Sequence, residues 1–517
     1  MSAALPGPVP PAVTHHPGRP GVSGWWDSGW CAAAALGLLT VGVLLSAQVP
    51  PGALLTFAAY LTGAVTLPGT LLWRALRGGS GLLVADLAAG TAVGYALEVF
   101  GYLPARALDL PHLVVALPAT VLVIFVGIPR LRRYWRGGGH RVPLRWAWAV
   151  AAVLAVLLLV SAAVFYRAHG LGGAAADSLN VDVPFHLALA GELKHHVAPT
   201  IPYVFGEPLR YHWFVYADLA ATSWSTGIDL RVLLLRLSLL PMLAAATVAV
   251  AVTAGELVNR HGNQRAAGRD RWWPGPVAAA VGLFAVAPMP YPWRAAALPT
   301  EGNLLDGTWL SPTQAFGAVF AVPVLLLLME LTRRPAQPGP VVGRWLLLGL
   351  LLAALAGAKA TFLPMLLAAL LVVAGGQWLT GRTLNRPAVL AAGLVGVVLA
   401  LAHLLLFRGT AAGLVLAPLD AVRRTGVSLA TGLASGPAGS GAVAVALLLC
   451  ALGWVVMWAG AAGIVGARPL ADPAVLLHLG MAGSGVGAAL TFGHGSASQL
   501  YFFWSARPSL ALLVAAG

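Results

Sequence analysis

The sequence predicts an all-α polytopic membrane protein with about 13–14 transmembrane helices and a large extracytoplasmic loop carrying short amphipathic helices. Three observations predict it. Hydrophobic residues make up 59% of the 517-residue chain and charged ones 9%, against roughly 25% charged in a soluble domain, so most of the surface must face lipid. Apolar runs of about 20 residues, the length that crosses a bilayer, recur from end to end. Short loops in which arginine dominates separate them, the pattern of cytoplasmic loops.

In order, the spans fall near 30–49, 52–73, 81–101, 110–128, 146–166, 232–255, 276–290, 313–331, 345–358, 361–379, 388–407, 441–464, 474–492 and 500–517. Runs interrupted by Gly and Pro, as at 388–407 and 474–492, suit close helix packing in lipid. In the third span Asp86, Gly90 and Gly94 recur every four residues, placing a carboxylate on a close-packed face. Burial against a partner helix is the expectation for Asp86, and Glu98 follows in the same span. Arg236, inside the sixth span, is expected either to point toward the loop at 167–230 or to pair with such a carboxylate.

Residues 1–28, rich in Pro and Gly, read as a disordered cytoplasmic tail. No signal-peptide cleavage pattern precedes the first span, which is therefore expected to stay in the membrane. The loop 129–145, with Arg130, Arg132, Arg133 and Arg136, is the strongest cytoplasmic marker. Counting outward from it gives a multi-pass protein of the cell (plasma) membrane with a cytoplasmic N-terminus. Loops 167–230, 291–312, 408–440 and 493–499 then lie outside. N-terminal helices occupy 29–145, a core 146–410 and further helices 411–517. The last run stops at Gly517 in mid-run, which predicts that the natural chain continues.

Composition excludes several functions. A formal charge of +14 would suggest nucleic acid in a soluble protein, but here the arginines sit in loops and set topology. Cys31 and Cys450 lie inside apolar runs, so neither a disulfide framework nor a Cys-based metal site is indicated. No P-loop, dinucleotide fingerprint or HExxH motif occurs, and the cytoplasmic loops are too short for ATP or a nucleotide-sugar. No soluble nucleotide is expected as a partner. Energy must arrive prepaid in a lipid-linked substrate or come from a gradient.

The loop 167–230 holds the densest chemistry: Asp177, then Asp182-Val-Pro-Phe-His186, Glu192, and Gly206-Glu-Pro-Leu-Arg210-Tyr211-His212-Trp-Phe, followed by Asp218. Pro184 favours a helix start, which puts Asp182 at its mouth and His186 one turn later on the same face. Such a pair can hold a metal or poise a general base against an acceptor hydroxyl. An Asp at that place also serves simply as a helix cap.

A large extracytoplasmic loop with an acidic residue just ahead of a Phe-His helix resembles the GT-C membrane glycosyltransferases, among them protein O-mannosyltransferases and aminoarabinose transferases. The resemblance covers roughly 146–410, with Asp182-Val183 where the family usually carries an acidic pair. It implies a GT-C-like fold and transfer of a sugar from a polyprenyl-phosphate carrier to an extracytoplasmic acceptor. Asp182 is the matching carboxylate, acting as base or as ligand to a divalent metal ion, with Asp177 a weaker candidate. His186 and His212 assist.

A phosphate leaving group needs cations. Arg210, Lys359 and Arg408 are assigned to it, with Arg294, Arg423, Arg424 and Arg507 also near the outer face. Lys359, between two closely spaced spans, either serves the site or snorkels to headgroups. Tyr211, Glu301 and Asp306 suit sugar hydroxyls. Trp293 and Trp309 beside those carboxylates either stack on a sugar ring or belong to an interfacial belt. Gln499 and Arg507, with His494, mark an outer helix mouth able to line the same cavity. The competing classes are a transporter or lipid flippase, which predicts an internal repeat, and a non-catalytic scaffold for envelope assembly.

Overall fold

A computed structural model of the full chain describes residues 29–137, 139–172, 180, 182–259, 272–285, 308–333, 340–381, 383–410, 413–423, 440–467 and 472–517. The chain is an all-α polytopic membrane protein. Among the described residues nine helices are long and apolar enough to cross a membrane.

The helices are α1 (Trp30–Ser46), α2 (Pro51–Arg77), α3 (Leu83–Ala107), α4 (Pro111–Gly127), α5 (Leu144–Tyr166), α6 (Asp182–His195), α7 (Phe214–Thr226), α8 (Leu230–Val258) and α9 (Pro274–Ala285). There follow α10 (Pro312–Leu331), α11 (Val341–Ala358), α12 (Phe362–Gly381), α13 (Arg386–Leu405), α14 (Ser440–Met457), α15 (Gly460–Ala467), α16 (Pro473–Thr491) and α17 (Leu500–Ala516). Proline opens α2, α9, α10 and α16, where its missing N–H costs no hydrogen bond.

The spans expected from sequence all appear as helices, but not all at full length. The runs at 30–49, 276–290, 441–464 and 500–517 give shorter apolar helices. The run at 110–128 gives α4, which bends by 109° into the short segment Pro129–Trp135. The brief run at 345–358 is an 18-residue helix.

Helix α10 is the axis of the bundle. Of its best apolar window 94% is buried, against 28% for α13, so α10 is enclosed by protein while α13 presents most of its surface outward. It packs on α3, α8, α11 and α17.

The glycine face read from the sequence is a real contact between α2 and α3. A Cβ at Gly69 would strike the backbone of Gly90 and Gly94, one at Gly90 would strike Thr70, and one at Gly94 would strike the Val65 carbonyl. Small residues let the two backbones approach this closely. Asp86, on the same helix, finds Arg74 at 2.8 Å and accepts from the Ser80 hydroxyl at 2.8 Å. Close by in sequence, Arg77 pairs with Glu330 of α10, which also meets Arg344 of α11 at 3.5 Å. These buried arginines each face a carboxylate, as a low-dielectric interior requires.

Arg236 departs from one of its two expectations. It meets no carboxylate. Its guanidinium donates to the carbonyls of His169 at 2.8 Å, Leu235 at 2.9 Å, Ala47 at 3.2 Å and Tyr166 at 3.3 Å. It thereby fixes the start of the segment leading to α6, because carbonyls at a chain exit lack helical donors.

Gly94→Leu is expected to lower the melting temperature of the detergent-purified protein or abolish its monodispersity, since forced overpacking costs about 1–3 kcal/mol or more. Gly42→Leu, where nothing lies within 4 Å of the added Cβ, leaves both unchanged. Thermal melts with size-exclusion profiles check the pair.

Candidate functional site

Helix α6 begins as Pro184 foretold, but the cap is Asn180. Its side-chain oxygen accepts from the Asp182 N–H at 3.0 Å, and its carbonyl accepts from the Val183 N–H at 3.0 Å. The capping duty considered for Asp182 is therefore discharged by a neighbour. The Asp182 side chain is exposed and has no hydrogen bond among the described residues.

One turn on, His186 is 6% exposed and held at both nitrogens. Nε2 lies 3.2 Å from the Leu310 carbonyl, which only accepts, so Nε2 carries the proton. Nδ1 then accepts from the Tyr216 hydroxyl at 2.7 Å, and the two rings stack at 5.6 Å. This histidine staples α6 to α7 and to the entry of α10.

From Tyr216 a row of hydroxyls continues. The Tyr211 ring stacks on His212 at 4.0 Å, and its hydroxyl lies near those of Tyr216 and Thr313. Thr313 Oγ1 accepts from Lys359 Nζ at 3.3 Å, and the same ammonium sits 3.5 Å from the centre of the Tyr501 ring. The Lys359 backbone is extended, φ −160° and ψ 96°, just past the end of α11. That turn swings the side chain inward. Gly317 makes room for it, since a Cβ there would come within 2.6 Å of the Lys359 Cβ.

Lys359 is 1% exposed, so it does not snorkel to a surface. Among the described residues no carboxylate lies within ion-pair distance of it. Burial pulls its pKa down to about 7. Burial also lowers the pKa of His186, partly offset by the Leu310 carbonyl and the charge of Asp182, with Lys359 lowering it further. His212 is pushed well below the ordinary histidine range by burial and by Lys359. Asp182 and Lys359 thus act on the same imidazole in opposite senses.

His212 carries a second mark of a binding site. Both its ring nitrogens are buried with no hydrogen-bond partner among the described residues. Buried polar atoms in a folded protein are nearly always satisfied, so an orphaned imidazole next to a buried ammonium suits a polar ligand. A metal ion is a poor match. No group of three or more His, Cys, Asp or Glu side chains able to hold one occurs among the described residues, and His186 has no free lone pair to offer Asp182 as a co-ligand.

The other sequence candidates are scattered. Arg210 is paired with Glu207 at 3.3 Å, both nearly half exposed. Arg408 is exposed on the turn after α13 with φ +49°. Gln499 is fully buried and donates to Asp420 at 3.0 Å, closing the small ladder of β1 (Val415–Leu416) and β2 (Phe492–Gly493). That ladder also fixes the start of α17, which carries Tyr501. Arg507 lines a small cavity of about 60 Å³ with Thr308, Gln314 and Trp504. Trp309 is 2% exposed, donates to Ser161 and stacks on Phe165, so it is a packing element and no sugar platform. Glu192 is engaged by Thr200 and His196. Asp218 is buried in α7, facing α3. Asp177, Trp293, Arg294, Glu301, Asp306 and Arg424 lie outside the described residues.

Sequence reading missed Tyr216 and Thr313, the hydroxyls that join the site. A polar run at the helix entry, Ser311-Pro-Thr313-Gln314, was the available signal. No family model, curated protein or solved structure matches this chain.

Lys359→Met is expected to raise thermal stability, by roughly a few kcal/mol near neutral pH, because it removes a buried cation without a carboxylate. The folded pKa lies below the unfolded one, so above about 7 the unfolded chain binds more protons. Wild-type stability therefore rises with pH there. The advantage of the variant is largest at and below that pH and fades toward the ordinary lysine range. Melting curves across pH check both the sign and the window.

Proposed function

We propose that the protein is a GT-C-like glycosyltransferase of the plasma membrane, with a cytoplasmic N-terminus, that moves a sugar from a polyprenyl-phosphate donor to an extracytoplasmic acceptor. The observation that carries this reading is the buried Lys359 ammonium, unmatched by a carboxylate among the described residues, together with the exposed carboxylate of Asp182 one turn ahead of His186 on α6. A site that keeps a cation and a base apart suits a reaction with a departing anion and an acidifying hydroxyl.

In this mechanism the acceptor hydroxyl oxygen attacks the anomeric carbon while Asp182 takes its proton. The bond from that carbon to the phosphate oxygen breaks with inversion. The electron pair leaves on the phosphate, whose charge Lys359 neutralises, with His212 as a further polar contact. His186 positions: through Tyr216 and Leu310 it fixes the helix on which Asp182 stands. The donor's lipid tail stays in the bilayer, so only its head group has to enter. Arg210 and Arg408, both exposed, remain candidates for the phosphate, and Tyr211 for the sugar.

The transporter or flippase reading draws on one observation, the carboxyls of Glu98 and Asp218 buried in the bundle, since ionisable groups at membrane depth mark ion pathways. Lipid extracts separate the two. A deletion strain is expected to accumulate a polyprenyl-linked sugar. The wild-type gene clears it, and Asp182→Ala, expressed to the same level, lowers transfer by about 100-fold or more. Clearance by Asp182→Ala at the wild-type rate overturns the assignment.

A further inference from the structure

Glu98 of α3 and Asp218 of α7 are 2% and 1% exposed and belong to no part of the site above. Glu98 Oε1 accepts from the Tyr60 hydroxyl at 2.8 Å and from the Thr222 hydroxyl at 3.1 Å. Its other oxygen, Oε2, and Asp218 Oδ1 are buried without a donor. Asp218 stands one turn before Thr222 on the same face of α7, the face from which Thr222 bonds Glu98 where α7 packs on α3. No basic side chain bonds either one among the described residues.

Two adjacent carboxylates in an apolar interior do not both ionise, because like charges there repel strongly and neither has a basic side chain beside it among the described residues. One proton resolves the conflict. It makes one carboxyl a donor to the other and satisfies both orphaned oxygens at once. The partition follows from the surroundings: Glu98 has two hydroxyl donors and suits the anion, while Asp218 has none and suits the acid. Burial first, and then the charge of Glu98, push the Asp218 carboxyl well above the usual carboxylate range.

The titratable groups facing the pair are Tyr60 of α2 and Tyr95 of α3, and from α7 the Thr222 hydroxyl bonds Glu98 while that of Ser225 lies against Tyr60. From α10, Phe316 packs edge-on against Tyr95. Lys194, the lysine tied to α7, bonds Ser223. Tyr60 is half-buried, and its hydroxyl lies 3.4 Å from that of Ser225, also half-buried. This gives a row from the pair toward the surface.

We propose that Glu98 and Asp218 form a proton-binding site that holds one shared proton and exchanges it with water through the hydroxyls of Tyr60 and Ser225. On uptake, a proton reaching Tyr60 by way of Ser225 lets Tyr60 pass its own to Glu98, from which it moves to Asp218. Release reverses each transfer. The bound proton also fastens α7, which carries Tyr216, to the membrane helix α3.

Infrared difference spectroscopy on the full chain in nanodiscs tests this directly. Near neutral pH the wild type is expected to show a protonated-carboxyl band that shifts in heavy water. Asp218→Asn, whose amide donates the same hydrogen bond and so preserves the fold, loses the band, and Glu98→Gln alters it. Tyr60→Phe keeps the band but slows its deuterium exchange several-fold. The proposal is overturned if the wild type shows no such band, or if the band is identical in both carboxyl variants. Its disappearance when sodium replaces choline as the buffer cation also overturns it, since the pair would then hold a metal cation.

Discussion

The Lys359 ammonium, buried past the end of α11 with no carboxylate opposite it among the described residues, is the constraint on which the arrangement of the site depends. Such a group is costly in a low-dielectric interior, and the fold goes to some length to keep it there. Gly317 vacates the space its stem needs, Thr313 offers an acceptor, and Tyr501 presents the negative face of its ring. The contrast with the other ionised groups of the bundle is instructive. Arg74 has Asp86, and Arg77 and Arg344 share Glu330. Arg236, held by four backbone carbonyls, shows the other way a buried cation is satisfied.

The same logic explains why so many hydroxyls gather at one place. Lys359 bonds Thr313 and His186 bonds Tyr216, and Tyr211 stands between the two pairs, with Asp182 one helical turn before His186. Each bonded pair fixes two chain segments to one another. Together these residues bring in four chain segments far apart in sequence: α6, the strip ahead of α7, the entry of α10 and the α11–α12 turn. A ligand at His212 would sit beside all of them. Binding groups held by rigid helices are placed more accurately than groups on loops.

Much of the fold could be read in advance because the bilayer imposes a length. Helix occupies the described part of each expected span, yet among the described residues nine helices are long and apolar enough to cross a membrane, because local hydropathy does not fix where a helix breaks, as at 441–464 between α14 and α15. The Asp86–Gly90–Gly94 face was legible because helical period and residue size speak together. The site was legible in part. Asp182, His186, His212 and Lys359 stood out as ionisable residues in a chain that avoids them; three of them, His186, His212 and Lys359, are buried, while Asp182 is exposed. What period and composition could not supply is pairing across long separations. Nothing in the sequence links Glu98 to Asp218, Asn180 rather than Asp182 to the cap, or Trp309 to Ser161. Those choices are made by tertiary packing.

Binding of a polyprenyl phosphate to purified protein in nanodiscs, compared among the wild type, Lys359→Met and Asp182→Asn, reaches the centre of this account. Lys359→Met is expected to weaken binding about tenfold or more, the worth of one charge-assisted phosphate contact, while Asp182→Asn binds like the wild type. Equal affinity in Lys359→Met and the wild type would show that the buried ammonium serves no anion and would contradict the account.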